Sequence, residues 1–231
     1  MIGPVLGAVP AGRVDEWPYP KDARSSMQHD WNAHYLRGEL PWDTDEPDPH
    51  LVELIRRGVV DRGRTLEIGC GTGTNAVWLA GQGFDVVGVD IAERAIEMAR
   101  TRAGSTPRVS FLQADFLADD GVEGSFDFVF DRGVFHVFDE AEARARVAEH
   151  VAGLLRPEGL WLSVIGSTEG PPREEGPPRR SALDIVTAIE PVLEIVSLRT
   201  TEFHGDDRAP RAWACLSRRR TMPAQPSTRR A

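Results

Sequence analysis

Cysteine is almost absent from this chain of 231 residues, with only Cys70 and Cys215 present. No disulfide framework or cysteine-rich zinc site can be built from two cysteines, and a reduced compartment fits them. Lysine is scarcer still: Lys21 is the only one, and arginine supplies every other cationic side chain. No apolar run approaches the roughly 20 residues that span a bilayer. The opening MIGPVLGAVPAGR also lacks the basic region of a signal peptide. No membrane contact and a cytoplasmic location are therefore expected. His29, His34 and His50 share one segment without ligand spacing, so no metal site is expected. The formal net charge is −9 even with the basic ending SRRRTMPAQPSTRRA included. Such a body disfavours binding along a nucleic acid backbone, which leaves a small molecule as the expected partner.

What the chain does have is enough apolar content, 41%, to bury one sizeable core. Residues 1–25 are rich in Gly, Pro and Asp without a sustained period and read as an irregular leader. Residues 26–63 read as a helical cap: Trp31, Tyr35 and Trp42 lie near Pro41, Pro47 and Pro49, and helical spacing resumes at Leu51, Leu54 and Ile55. From Arg64 onward, β-rich runs alternate with helical runs, the pattern of a parallel sheet covered on both faces. The strands read RTLEIG, DVVGVD, RVSFLQAD, SFDFVFD and LWLSVIG. Ala92, Ala95, Ile96 and Ala99 share one helical face, and Val147, Val151 and Leu154 another. The second of these helices is expected to start on an Asp139 and Glu142 capping pair and to halt at Pro157 and Gly159. LEIVSLRTTEF and RAWACLSRR, joined by HGDDRAP, predict an antiparallel hairpin at the sheet edge. The main domain is thus placed at 64–220, followed by a disordered basic tail at 221–231. STEGPPREEGPPRR follows a strand's carboxyl end and reads as a lid.

The strongest motif is EIGCGTG at 67–73, where a strand ends and a helix begins. Small residues there let a ligand lie against backbone. Thr74 stands where a dinucleotide fingerprint wants its last glycine, and Glu67 places a carboxylate that suits an ammonium better than a pyrophosphate. Asp90 ends the second strand at the offset where an acid accepts from ribose hydroxyls, with Ile91 after it. Asp115 is placed to read an adenine amino group, and Phe116 to pack on the ring. His136 lies past the fourth strand, where an acceptor would arrive; it is a candidate base, or else a histidine packed beside Phe135 and Phe138. Asp131 is a second candidate base, or a group that holds cofactor or loop.

EIGCGTG, VVGVD, QAD and FDFVFDRG in this order resemble the motif series of class I S-adenosylmethionine-dependent methyltransferases. The likeness implies a three-layer, doubly wound, mostly parallel seven-stranded sheet of Rossmann-like type, ending in the antiparallel hairpin. It also implies S-adenosylmethionine as cofactor: Glu67, Gly69, Cys70, Gly71, Thr72 and Gly73 would hold the methionine part, Asp90 and Ile91 the ribose, and Asp115 and Phe116 the adenine. Pro41-Trp42-Asp43 and Asp131-Arg132-Gly133 further resemble the thiopurine methyltransferase group. Trp31, Trp42 and Asp131 are cofactor candidates, and by placement Tyr35, Arg132, Phe135, His136, Phe138 and Arg179 are acceptor candidates. The expected reaction is methyl transfer to a small molecule, a thiol first, with an aromatic or heterocyclic hydroxyl or nitrogen as the alternative. A nicotinamide-dependent oxidoreductase and a non-catalytic nucleotide-binding module are the other classes left open, and the chain is expected to act as monomer or homodimer.

Overall fold

The computed structural model describes residues 30–38, 40–118, 121–171, 176–204 and 209–220. The proposed leader at 1–25 and basic tail at 221–231 lie outside them. Two short helices come first, α1 (Trp31–Arg37) and α2 (Pro49–Arg56). Asp30 caps α1 by accepting from Ala33 N, and Asp48 caps α2 by accepting from His50 N ahead of a proline in the first turn. The alternating section then gives β1 (Arg64–Ile68), α3 (Thr74–Gly81), β2 (Asp85–Asp90), α4 (Glu93–Ala103), β3 (Val109–Gln113) and β4 (Phe126–Arg132). A 3₁₀ turn (Phe135–Val137), α5 (Ala141–Leu154), β5 (Leu155–Gly166) and α6 (Ala182–Ile189) follow, and β6 (Leu193–Glu202) and β7 (Arg211–Arg219) close the chain. Among the described residues no helix is long and apolar enough to cross a membrane.

The strands form one seven-stranded sheet in the order β3-β2-β1-β4-β5-β7-β6. The first five in chain order are parallel, and β7 runs antiparallel to both β5 and β6. Helices cover both faces because the strands alternate apolar residues toward each. Trp161, Trp213 and Cys215 pack with Val147, Val151 and Ile185 of α5 and α6. Leu162, Val164 and Ala212 pack with Leu51, Ala76 and Leu79 of α2 and α3 on the other side. Ala95, Ile96 and Ala99 form the buried stripe of α4, as the spacing predicted.

Two local expectations are corrected. Asp139 and Glu142 do not form a capping pair: Glu140 is the N-cap of α5 without a side-chain bond, and the Asp139 carboxylate takes Arg180 Nη2 at 2.6 Å. An arginine brought in by a distant segment outcompetes the local backbone donors. Pro157 and Gly159 do not end α5 either; the helix stops at Leu154 and β5 begins at once. Leu155 pairs with Phe126 and Leu160 with Phe128, so the residues between them bulge, with Glu158 at φ 64°. The lid sequence is closed at its neck by a bridge between Ser167 and Arg180.

The turn after β4 is built on Asp131. Its Oδ1 accepts from Val134 N at 3.1 Å and Phe135 N at 3.2 Å, and its Oδ2 accepts from Trp161 Nε1 at 2.9 Å. Asp131→Ala would leave buried N–H groups without an acceptor. It is expected to lower the unfolding free energy by about 3 kcal/mol, and Trp161→Phe, which loses one donor, by less. Urea titration checks this, and an unchanged midpoint for the alanine variant would remove Asp131 as the organiser of the turn.

Candidate functional site

Parallel strands in an open α/β sheet present their carboxyl ends to a common crevice. Here the ends of β1, β2 and β4 open into a cavity of about 600 Å³. Its floor is the 69–72 loop. Gly69 and Gly71 have φ of 63° and 52°, and a Cβ on Gly69 would lie 2.2 Å from Val134 Cγ2, so the backbone itself forms the surface. The loop is held from the β2 end: Asp90 Oδ2 accepts from Gly71 N and its Oδ1 from Ala92 N, each at 2.9 Å. Each of those oxygens keeps a second lone pair.

Glu67 differs from Asp90. Only 2% exposed, it receives Asn75 Nδ2 on Oε1 at 3.0 Å, whereas its Oε2 is buried without a hydrogen-bond partner. Burial is the main cause that pushes its pKa up to about 8; the Asn75 amide and the backbone N–H of Ala76 work against the rise and the charges of Asp90 and Asp131 add to it. Glu67 lines the cavity next to the glycine loop, and a carboxylate there with one oxygen outside any hydrogen bond is suited to a cation with N–H donors.

Farther along β2 and β3, Ile91, Asp115 and Phe116 line the same cavity. Asp115 Oδ1 accepts from Leu117 N at 2.9 Å. Phe116 is held by His150, whose ring stacks on it at 4.4 Å and whose Nδ1 lies 2.8 Å from Phe116 O. The amino-terminal segment forms the roof. Trp42 meets Trp31, His34 and Tyr35 edge-on with centroids 5.7–6.0 Å apart, and its Nε1 donates to Tyr35 Oη at 3.4 Å. The roof is tied to the floor by Thr72 Oγ1, which donates to Asp43 Oδ2 at 2.7 Å, and by Arg102, which bonds both Asp45 and Thr72 O.

Among the residues named from the sequence, Trp31, Tyr35, Trp42, Glu67, Gly69, Cys70, Gly71 and Thr72 line the cavity. Asp90, Ile91, Asp115, Phe116, Arg132, His136 and Phe138 line it as well. Four named residues do not. Asp131 is turned under the β4 turn, where its carboxylate takes the three donors described, and it does not line the cavity. Phe135 is fully buried against Trp161, 5.9 Å away, because the turn rotates it into the core. A Cβ on Gly73 would meet Ala99 and Phe111 at about 3 Å, so this glycine serves the approach of α3 to its neighbours. Arg179 binds the carbonyls of Ser167 and Thr168 at the neck of the loop instead of facing the cavity.

Arg132 does reach the cavity, but its guanidinium is engaged by protein: Nε with Asp48 Oδ2 at 3.1 Å, Nη1 with Trp42 O and Nη2 with His204 O, both at 2.9 Å. His136 is 4% exposed, and Gly166 N donates to its Nδ1 at 2.8 Å. That bond makes Nδ1 an acceptor and assigns the ring proton to Nε2, so the neutral ring presents a donor, not a base, on its other side. Asn75, Asp48, Phe203 and His204 were not singled out from the sequence. Their contacts span from 8 to 84 residues of chain, and only the fold brings them together. Both cysteines are buried, and burial raises both thiol pKa values, that of Cys215 to about 12. Among the described residues no group of three His, Cys, Asp or Glu could hold a metal ion.

The profile of the family described as "Thiopurine S-methyltransferase (TPMT)" matches residues 26–189. The chain is 34% identical over 151 residues to "Probable thiol methyltransferase 2" of Arabidopsis thaliana, covering 62% of this chain and 66% of that one, just under two thirds. It is 33% identical over 176 residues to "Thiocyanate methyltransferase 1" of Brassica oleracea, covering 75% of each. Among solved structures, that described as "Conversion of a Disulfide Bond into a Thioacetal Group during Echinomycin Biosynthesis" superposes with a TM-score of 0.72 at 29% identity, over 84% of this chain and 91% of that one.

The raised pKa of Glu67 has a consequence for stability. An exposed glutamate in the unfolded chain gives up its proton near pH 4 and the folded one near 8, so folding takes up a proton between these values and stability falls as pH rises through that window. Glu67→Gln is expected to flatten this fall, gaining on the wild type from about pH 5 to about pH 8 in urea titrations. Parallel stability curves for the two proteins would show that Glu67 ionises normally.

Proposed function

This chain belongs to the thiopurine S-methyltransferase family, and from that premise we propose that it transfers a methyl group from S-adenosylmethionine to a small-molecule thiol. The observation that carries the reading is the half-satisfied Glu67 carboxylate beside the 69–72 cradle.

The residues present fit the cofactor. Glu67 Oε2 would receive the α-ammonium, the backbone of Gly69 and Gly71 would lie against the amino-acid part, Asp90 would accept from the ribose hydroxyls, and Asp115 with Phe116 would frame the adenine. When bound, S-adenosylmethionine supplies a sulfonium-borne methyl group open to in-line displacement by a nucleophile.

In such a displacement the protein must align the acceptor and keep water from the charge. Trp42, Tyr35, Val137, Phe138 and Phe203 give the acceptor end apolar and aromatic walls. Neither candidate base is poised to take a proton from an acceptor: Asp131 lies below the turn, and the Nδ1 of His136 is occupied by Gly166 N–H. Burial raises the Tyr35 phenol well above its ordinary value, so it stays protonated. A thiol, with a free pKa near 8.5, ionises appreciably at neutral pH without a base, whereas a phenol or amine with a higher pKa has more need of one. The names of the two plant relatives agree with sulfur chemistry. A net charge of −9 is consistent with a small acceptor and not a nucleic acid. Two buried free cysteines suit a reduced cytoplasm, and a monomer or homodimer would present the same site.

Calorimetry at pH 7 is expected to show S-adenosylhomocysteine binding with release of about one proton, that of Glu67, and Glu67→Gln to abolish the release. Binding of NAD in its place would overturn the reading. Labelled S-adenosylmethionine offered with thiols, phenols and heterocyclic amines is expected to label thiols, at a rate that tracks the thiolate fraction. Label confined to phenols, amines or a macromolecule would reject the thiol.

A further inference from the structure

Asn75, in the first turn of α3, joins two parts of the site through one side-chain amide. Its Nδ2 donates to Glu67 Oε1 at 3.0 Å and its Oδ1 accepts from Asp48 N at 2.8 Å. The reverse amide orientation would set two donors against each other at Asp48, so this arrangement is the consistent one. Asp48 is 3% exposed and continues the path: Oδ1 caps α2 on His50 N, and Oδ2 accepts from Arg132 Nε at 3.1 Å. Arg132 ends it on Trp42 O and His204 O, with its guanidinium 5.1 Å from the centre of the Phe203 ring. A continuous set of hydrogen bonds therefore runs from the floor of the cavity to the two segments that border its acceptor end, one in the amino-terminal strap and one after β6.

We propose that Asn75 is a positioning residue that couples occupancy at Glu67 to closure of the 41–48 strap over the acceptor, through Asp48 and Arg132. The inference rests on the methyltransferase reading, since it takes the Glu67 occupant to be the ammonium of the cofactor. When a cation meets Oε2, Glu67 becomes a full carboxylate and a stronger acceptor for Nδ2, as hydrogen bonds to charged groups are roughly twice as strong as neutral ones. That holds the amide in the orientation that receives Asp48 N–H, which in turn fixes the carboxylate that orients Arg132. The strap carrying Trp42 then closes on an occupied floor and loosens over an empty one. By reciprocity, an acceptor that favours the closed strap tightens cofactor binding by the same factor, and couplings of this kind run from about 5-fold to 150-fold. Arg132, which the sequence suggested as an acceptor contact, acts here on the roof.

The test is hydrogen exchange on the full chain with and without saturating S-adenosylhomocysteine, with affinity measured separately by calorimetry. In the wild type, the ligand is expected to slow exchange across residues 41–56 by about 10-fold or more, within the coupling range above. In Asn75→Ala, S-adenosylhomocysteine is expected still to bind, with the added protection of 41–48 largely lost. Arg132→Lys keeps the charge and the bond between Glu67 and Asn75 but loses the fork that reaches Trp42 and His204. It is expected to bind S-adenosylhomocysteine within a few-fold of the wild type while losing the same protection, so the coupling is tested even where the Asn75 variant fails to fold. Wild-type protection in both variants, or ligand bound by the wild type without protection of the strap, overturns the coupling alone. Failure of the wild type to bind S-adenosylhomocysteine overturns the functional reading and the coupling with it.

Discussion

The carboxylates of Glu67, Asp90 and Asp131 are all buried at the carboxyl ends of neighbouring parallel strands. Burying an ionised group is costly unless donors surround it, and the rest of the site follows from how each one is treated. Asp131 is given three donors and organises the turn that ends β4. Asp90 is given two backbone N–H groups, one from the glycine loop and one from the residue before α4, so that it fixes the loop on which a ligand would rest. Glu67 keeps one oxygen that no hydrogen bond reaches, and burial is the main cause that pushes its pKa up to about 8. The same strand-end geometry thus yields a structural acid, a loop-holding acid and an acid that lacks a partner.

The layered architecture was legible because it is written in local periods. β-rich runs such as β4, β5 and β7, buried along most of their length, and the 3.6 spacing of Ala92, Ala95, Ile96 and Ala99 survive translation into packing without knowledge of distant residues. The glycine loop was legible for a similar reason, since the positive φ at Gly69 and Gly71 is a local demand. Side-chain direction just beyond a strand end was not. At Phe135 and His136 the chain has left the sheet and runs through a 3₁₀ turn, and neither period applies there. The result is that Phe135 enters the core while His136, one residue on, reaches the cavity.

Charged residues were hard to read for a different reason. Arg132 and Arg179 read as recognition groups because arginine offers five donors in a rigid fork, but those donors serve buried or loop carbonyls just as well. In this fold they close the site's own backbone: Arg179 gathers the neck of the 167–180 loop, and Arg132 ties the strap and the turn after β6 to β4. Asn75 and Asp48 gave no signal at all, because a lone amide and a helix-capping aspartate are ordinary surface features until the fold sets them against Glu67 and Arg132.

A site arranged in this way is under tension before any ligand arrives. The unpartnered Oε2 of Glu67 costs on the order of 1–3 kcal/mol as a buried unsatisfied group, and the protein offsets part of that by holding the proton up to about pH 8. On the proposed reading, a ligand that brings an ammonium would satisfy that oxygen and displace the proton, so that its binding releases a proton and tightens as pH rises toward 8. A ligand without a cation at that position gains nothing there. On that reading, selectivity for an amino-acid-bearing nucleoside over a dinucleotide would reside less in the glycine loop, which either could occupy, than in the buried oxygen beside it. The acceptor end shows the complementary economy: apolar walls and a histidine that presents a proton where a base would present a lone pair. Chemistry at such a centre depends on an acceptor that arrives already nucleophilic, and it leaves the protein the tasks of enclosure and alignment.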